Sequence, residues 1–299
     1  VTGLKQRLSK RADRLKDRVE GNAFLRFIWD VAREWKRDDA TDRAGAVAYH
    51  AFLSILPLLL GIVALLGFFL PDADVRKAVS DALLRVLPGS AEFVENNLDA
   101  VIELREISGV IGLLGLLWSG SNMFAAIRRA LNRAWGISQE RGFVAGKARD
   151  LVMVLGAGLL FLLSLAAVNL VAIIGETDRL IINAALAFGS RFIGFLLALL
   201  VFLIVYKFVP NTKTIWRWTW QGALLAAVAF QVGTYAFIFY LTHFANFQSI
   251  YGPLGSVIAL MLWIYLSSIM LILGAEVAAE LHRMKVGDGK TTKAASVGK

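Results

Sequence analysis

The sequence predicts an all-α, polytopic membrane protein with six transmembrane helices, and three observations carry that prediction. Six long apolar runs occupy residues 44–70, 107–127, 151–175, 192–209, 218–241 and 253–275. Lys and Arg crowd every second connection between them. Hydrophobic residues make up 57% of the chain and charged residues 18%, far from the mix of a soluble domain. A helix needs about 20 apolar residues to cross a hydrocarbon core about 30 Å thick. Most of the runs reach that length. The fourth is the shortest, and Arg191 and Lys207, which bracket it, must snorkel toward the interfaces.

The charge pattern orients the chain. Twelve Lys and Arg precede the first run, 6 follow the second, 3 lie around the link from the fourth to the fifth, and 5 occupy the tail. The remaining connections hold only Arg76, Lys77, Arg85, Arg105, Arg179 and Arg191. The basic side faces the cytoplasm, so both termini are expected there. An odd number of spans would break the alternation. The net charge of +9 fits anionic lipid headgroups at the cytoplasmic face, not nucleic acid. No cysteine is present, which excludes disulfides and thiolate metal sites. A charged opening stretch is not the pattern of a cleavable signal peptide.

Residues 1–43 read as a basic amphipathic arm. Leu4, Leu8, Leu15 and Val19 share one helical face, broken by Arg11. Phe24, Phe27, Ile28, Val31 and Trp35 form a second stripe at helical spacing. Both suit the cytoplasmic leaflet surface, and a partner-binding arm is the alternative. Residues 44–281 form the membrane domain. Within it, the first outer connection, 71–106, reads as two amphipathic helices broken at Pro88-Gly89. Eight acids against 4 bases make it mildly acidic. It would cap an outward cavity or rest on the outer leaflet. The basic tail 282–299 is expected to be disordered.

Five of the six spans carry polar or special residues, and from these a candidate cavity or gate is read. Asp42 opens the first span. Pro57 kinks it, with Tyr49 and Ser54 one or two turns earlier, where a hydroxyl can satisfy the carbonyl that proline leaves free. In the second span Gly109, Gly112 and Gly115 permit close helix approach, and Trp118, Ser119 and Asn122 follow. Asn169 lies in the third span, and Gln231 and Tyr235 in the fifth. The sixth begins with Tyr251, Gly252 and Pro253, passes Trp263 and Tyr265, and closes at Glu276. An acid there gains nothing from the negative end of its helix dipole. A pairing with Arg128, Arg129 or Arg133 would resolve that and hold two helix ends together as a gate. Kinks, small-residue faces and aromatic belts also serve plain packing, so the set argues for a cavity only if its members converge.

Soluble-type catalysis finds no support. His50, His243 and His282 are the only histidines, and none stands in a metal-ligand spacing. No phosphate-binding Gly-rich loop followed by Lys occurs, so the chain has no ATPase of its own. No Gly-x-Ser-x-Gly elbow is present. No cofactor is expected, and the chain is not read as an enzyme.

Four blocks in order resemble a known family. They are Asp42-Arg43-Ala44-Gly45-Ala46-Val47-Ala48-Tyr49-His50 running into Leu53-Ser54-Ile55-Leu56-Pro57; Leu116-Leu117-Trp118-Ser119; Ala130-Leu131-Asn132-Arg133-Ala134-Trp135-Gly136; and Tyr251-Gly252-Pro253-Leu254-Gly255 through Trp263-Ile264-Tyr265-Leu266-Ser267 to Leu273-Gly274-Ala275-Glu276. Together they are similar to the YihY/BrkB family of bacterial inner-membrane proteins, over about residues 29–281. His50 stands where an aromatic commonly follows the tyrosine. The resemblance implies a six-helix bacterial inner-membrane protein of the cell envelope, with a link to export of a lipid or amphiphile. Family labels include "virulence factor" and "ribonuclease BN". A metal-dependent nuclease needs clustered His and Asp ligands, which this sequence lacks. Two functions follow as expectations: a transporter or flippase-like protein for a lipid or amphiphile, or a membrane scaffold that recruits envelope partners. Membrane lipids are the expected partners, with self-association open. The inverted three-plus-three repeat common in transporters is not supported, because the second and sixth spans, which share a Gly-to-Trp pattern, run in the same direction.

Overall fold

The computed structural model describes residues 23–67, 105–137, 142–174, 180–212, 214, 216–244, 251 and 254–297. Among these, seven α-helices and no strand are present: α1 (Ala23–Arg37), α2 (Ala40–Gly67), α3 (Arg105–Ala134), α4 (Phe143–Ile174), α5 (Leu180–Phe208), α6 (Trp216–His243) and α7 (Gly255–Val297). The all-helical class read from the sequence is therefore correct. Among the described residues two helices are long and apolar enough to cross a membrane, Trp216–His243 and Gly255–Met284, with a shorter apolar stretch at Gly194–Phe208. The arm before residue 23, most of the connection 71–106, and Gly252 and Pro253 lie outside the described residues. α7 continues to Val297, past the boundary drawn at residue 282.

Helix ends follow local chemistry. Gly136, at φ 66°, closes α3. Its N–H donates to the Arg133 carbonyl, and the Ile137 N–H to that of Asn132, each at 2.8 Å. This paired return satisfies the last carbonyls and needs a residue that tolerates the left-handed region. Asp39, at φ 49°, turns the chain between α1 and α2. A short polar side chain is among the few that accept that conformation. In α2, Pro57 leaves the Leu53 carbonyl without its usual N–H. Ser54 does not rescue it: its hydroxyl donates to the His50 carbonyl at 2.7 Å, and a hydroxyl has one proton to give.

The bundle is built from antiparallel neighbours. Gly115 of α3 lies against Pro57 of α2, and Gly120 against Val154 of α4. α6 and α7 come into close backbone approach where Gly222 faces Gly274 and Ala278. Small residues line the seams: Ala44, Ala130, Ala134, Ala223, Ala226 and Ala275 are all buried. In a lipid environment association depends on close van der Waals packing, which small residues permit. α1 docks through Val31 but leaves Phe24, Ile28 and Trp29 exposed. The stripe read as one face thus splits between the bundle and the outside.

Candidate functional site

Polar side chains gather in two places. The first is the junction of α1, the end of α3, and α7. Glu34 and Asp38 are one turn apart on α1 and its exit, and Glu276, Glu280 and Arg283 recur at steps of four and three on α7. Each set therefore shares a helix face. Arg133 Nε pairs with Asp38 Oδ1 at 3.0 Å, and Arg43 Nε donates to the Asp38 carbonyl at 2.8 Å. Arg283 Nη1 binds Glu280 at 2.8 Å and Glu34 at 3.6 Å, while its Nη2 donates to the Ala134 carbonyl. Burial pushes the Asp38 carboxyl above its ordinary range, although Arg133 pulls the other way. Glu276 is 1% exposed, and its Oε2 has no hydrogen-bond partner. Asp38, Arg283, Glu34 and Glu280 are the charged groups whose fields reach it.

The pairing expected between Glu276 and an arginine after the second span is not made. Arg133 is taken by Asp38. Arg128 is taken by Asp150, with Nε to Oδ1 at 3.0 Å and Nη2 to Oδ2 at 3.1 Å. Arg129 is exposed and sends its field toward His50. Competing acids at the exit of α1 and on α4 decided this, and only tertiary packing brings them near.

The second gathering joins α3 and α4. Lys147 Nζ donates to Asn122 Oδ1 at 2.8 Å and stands 4.8 Å from the Trp118 ring centroid. Trp118 is 68% exposed, so its face is open beside a cation. The bidentate Arg128–Asp150 pair lies below it, and Gly146 gives the guanidinium room: a Cβ there would come within 3.3 Å of Nη2.

The other candidates scatter. Tyr49, Tyr235 and Tyr251 are exposed, while Gln231 and Tyr265 are half-buried. Asp42 is exposed on α2, and Ser54 is buried and bonded within its own helix. Ser119 Oγ is buried without a partner. Pro57 packs on Gly115. Trp263 is core: it packs between Phe230 and Phe237, with centroids 5.4 and 5.1 Å away. Nearby, an apolar hollow of about 300 Å³ lies between α6 and α7, lined by Gly233, Ala236, Phe237, Tyr240, Leu262, Leu266 and Met270. Sequence reasoning missed Glu34, Asp38, Lys147, Asp150, Glu280 and Arg283. The repeats Glu34–Asp38 and Glu276–Glu280–Arg283 were available signals. The Lys147–Asn122 link, across 25 positions, was not.

Long helices joined through small residues, with large apolar side chains such as Leu155, Phe192, Val232 and Phe239 exposed, define a helical membrane protein. Water would not tolerate that much open apolar surface. The chain belongs to the virulence factor BrkB family, whose model matches residues 31–298. It is 28% identical to the ribonuclease-like protein YfkH of Bacillus subtilis, over 87% of this chain and 97% of that protein. It is 28% identical to a UPF0761 membrane protein of Pseudoalteromonas atlantica, over 84% of this chain and 89% of that one. It is 29% identical to a UPF0761 membrane protein of Psychromonas ingrahamii, over 87% of each. No solved structure matches the chain.

Proposed function

We propose that this is a six-span protein of the bacterial inner membrane, with both termini cytoplasmic, that moves a lipid or other amphiphile bearing an anionic headgroup. The span count and orientation rest on the Lys and Arg alternation. The observation that carries the substrate class is Lys147. One N–H goes to Asn122 and the ammonium sits over Trp118. An ammonium has three donors, so N–H groups remain for a headgroup oxygen beyond the bond to Asn122, and the open indole beside it offers an amphipathic surface. Anionic lipid at the cytoplasmic face supplies the partner chemistry.

The reading assigns no enzymatic activity. The ribonuclease-like name of the Bacillus relative suggests a nuclease, but among the described residues no group of three His, Asp or Glu could hold a metal ion, and two histidines pack on aromatic rings. His282 packs on Trp135 at 5.7 Å and His243 stacks on Phe239 at 4.3 Å.

The test is movement of fluorescent phosphatidylglycerol and phosphatidylcholine analogues in proteoliposomes. The anionic analogue should move faster, and Lys147→Met should abolish the difference while the protein remains folded. Equal rates for both lipids with and without protein would favour the scaffold reading instead.

A further inference from the structure

We propose that Glu276 is a proton-binding site that holds α7 against α1 and the end of α3 when occupied. The inference stands whether or not the protein moves lipid.

The argument is one of charge and geometry. Glu276 is enclosed, with an oxygen that no donor reaches. The elements packed around it bring Glu34 from α1, Asp38 from the link to α2, and Glu280 from its own helix. Two arginines stand against these four carboxylates at close quarters, and both are committed. Arg133 serves Asp38. Arg283 serves Glu280, Glu34 and the Ala134 carbonyl. Arg37 also reaches Glu34, but from an exposed position. An ionised Glu276 would thus be a desolvated charge without a counter-ion, among three like charges. Burial of such a charge is far more costly than burial of the neutral acid.

One proton from bulk water resolves it. An O–H bond forms at the carboxyl, the charge goes from −1 to neutral, and the repulsion from Asp38, Glu34 and Glu280 is relieved. When the proton returns to solvent, the carboxylate must find water, which it can do only if α7 separates from α1 and α3. The site therefore links proton occupancy to the opening of this end of the bundle.

The experiment uses the full chain in lipid nanodiscs, titrated from mildly acidic to mildly alkaline pH and followed by infrared difference spectroscopy and by thermal melting. A titrating carboxylic-acid carbonyl band is expected in the wild type and absent in Glu276→Gln. The wild type should melt at a higher temperature on the acid side. Glu276→Gln, the neutral isostere of the protonated acid, should lose most of that pH dependence and melt close to the acid-side value throughout. Glu280→Gln removes one repelling carboxylate and should move the Glu276 band to lower pH. The proposal is overturned if the band persists in Glu276→Gln, or if that variant keeps the full pH dependence of the wild type. If Glu276→Gln fails to fold, the Glu280→Gln titration decides: a band that does not move overturns the proposal.

Discussion

Removal of the Asp150 carboxylate should unfasten α4 from α3 at a cost far above that of an ordinary surface pair. The side chains of Arg128 and Asp150 are 10% and 3% exposed. Both guanidinium bonds run parallel, at 3.0 and 3.1 Å, the geometry that makes such pairs strong. In Asp150→Ala the guanidinium stays buried with no counter-ion, because Gly146 on α4 and the α3 backbone confine it. Loss of one partner from a buried pair costs about 3–5 kcal/mol. At about 1.4 kcal/mol per tenfold, the unfolding equilibrium should shift by about a hundredfold or more. Replacement of both charges, Arg128→Met with Asp150→Leu, removes the orphan and should recover most of the loss, since apolar substitutes of similar volume are often neutral or better. The assay is reversible unfolding in mixed micelles for wild type, both single variants and the double variant. A single variant that loses less than about 1 kcal/mol would place the pair in the class of exposed bridges and refute the burial argument. So would a double variant whose loss equals the sum of the singles.

Gly222→Ala should destabilise although alanine favours helix by about 1 kcal/mol. The new Cβ would strike the Gly274 carbonyl and come 2.6 Å from the Ala278 Cβ, and overpacking of this kind costs about 1–3 kcal/mol; a raised melting temperature would contradict it. Tyr206→Phe removes a 2.6 Å bond to the Leu271 carbonyl and should cost about 0.5–1.5 kcal/mol, read in the same unfolding assay. Asp38 gives a pH prediction. Its carboxyl is raised from 3.8, first by burial, so the stability it contributes is present below the ordinary carboxyl range and lost as pH rises through the raised value. The melting temperature of wild type should therefore fall across that window more steeply than that of Asp38→Asn, and the opposite slope difference would refute the sign. Reporter fusions after residue 90 should be active only as periplasmic reporters. Purified protein should leave tRNA intact with divalent metals supplied, and cleavage lost on mutation of this chain would show otherwise.

Hydropathy, charge and spacing determined what kind of molecule this is, because those signals are local. A long apolar run commits its backbone to helix wherever water is absent, and the four blocks in order, from Asp42 to Glu276, pointed to the family. Helix ends were also local, as at Gly136, where the backbone conformation selects the residue. The partnerships of the charged residues were not local. Arg128 pairs with Asp150 and Arg133 with Asp38 because α4 and the end of α1 bring those acids to hydrogen-bond distance. Glu276 was left without either: its helix turns it inward, 1% exposed, toward Asp38, Glu34 and Glu280 rather than toward a free arginine. Likewise Trp263 and Trp118 look alike in sequence, yet α6 covers one and leaves the other open. Composition and period fix which groups must be buried or paired. Which of several equal candidates meets which depends on the relative placement of whole helices, and that is a property of the packed bundle alone.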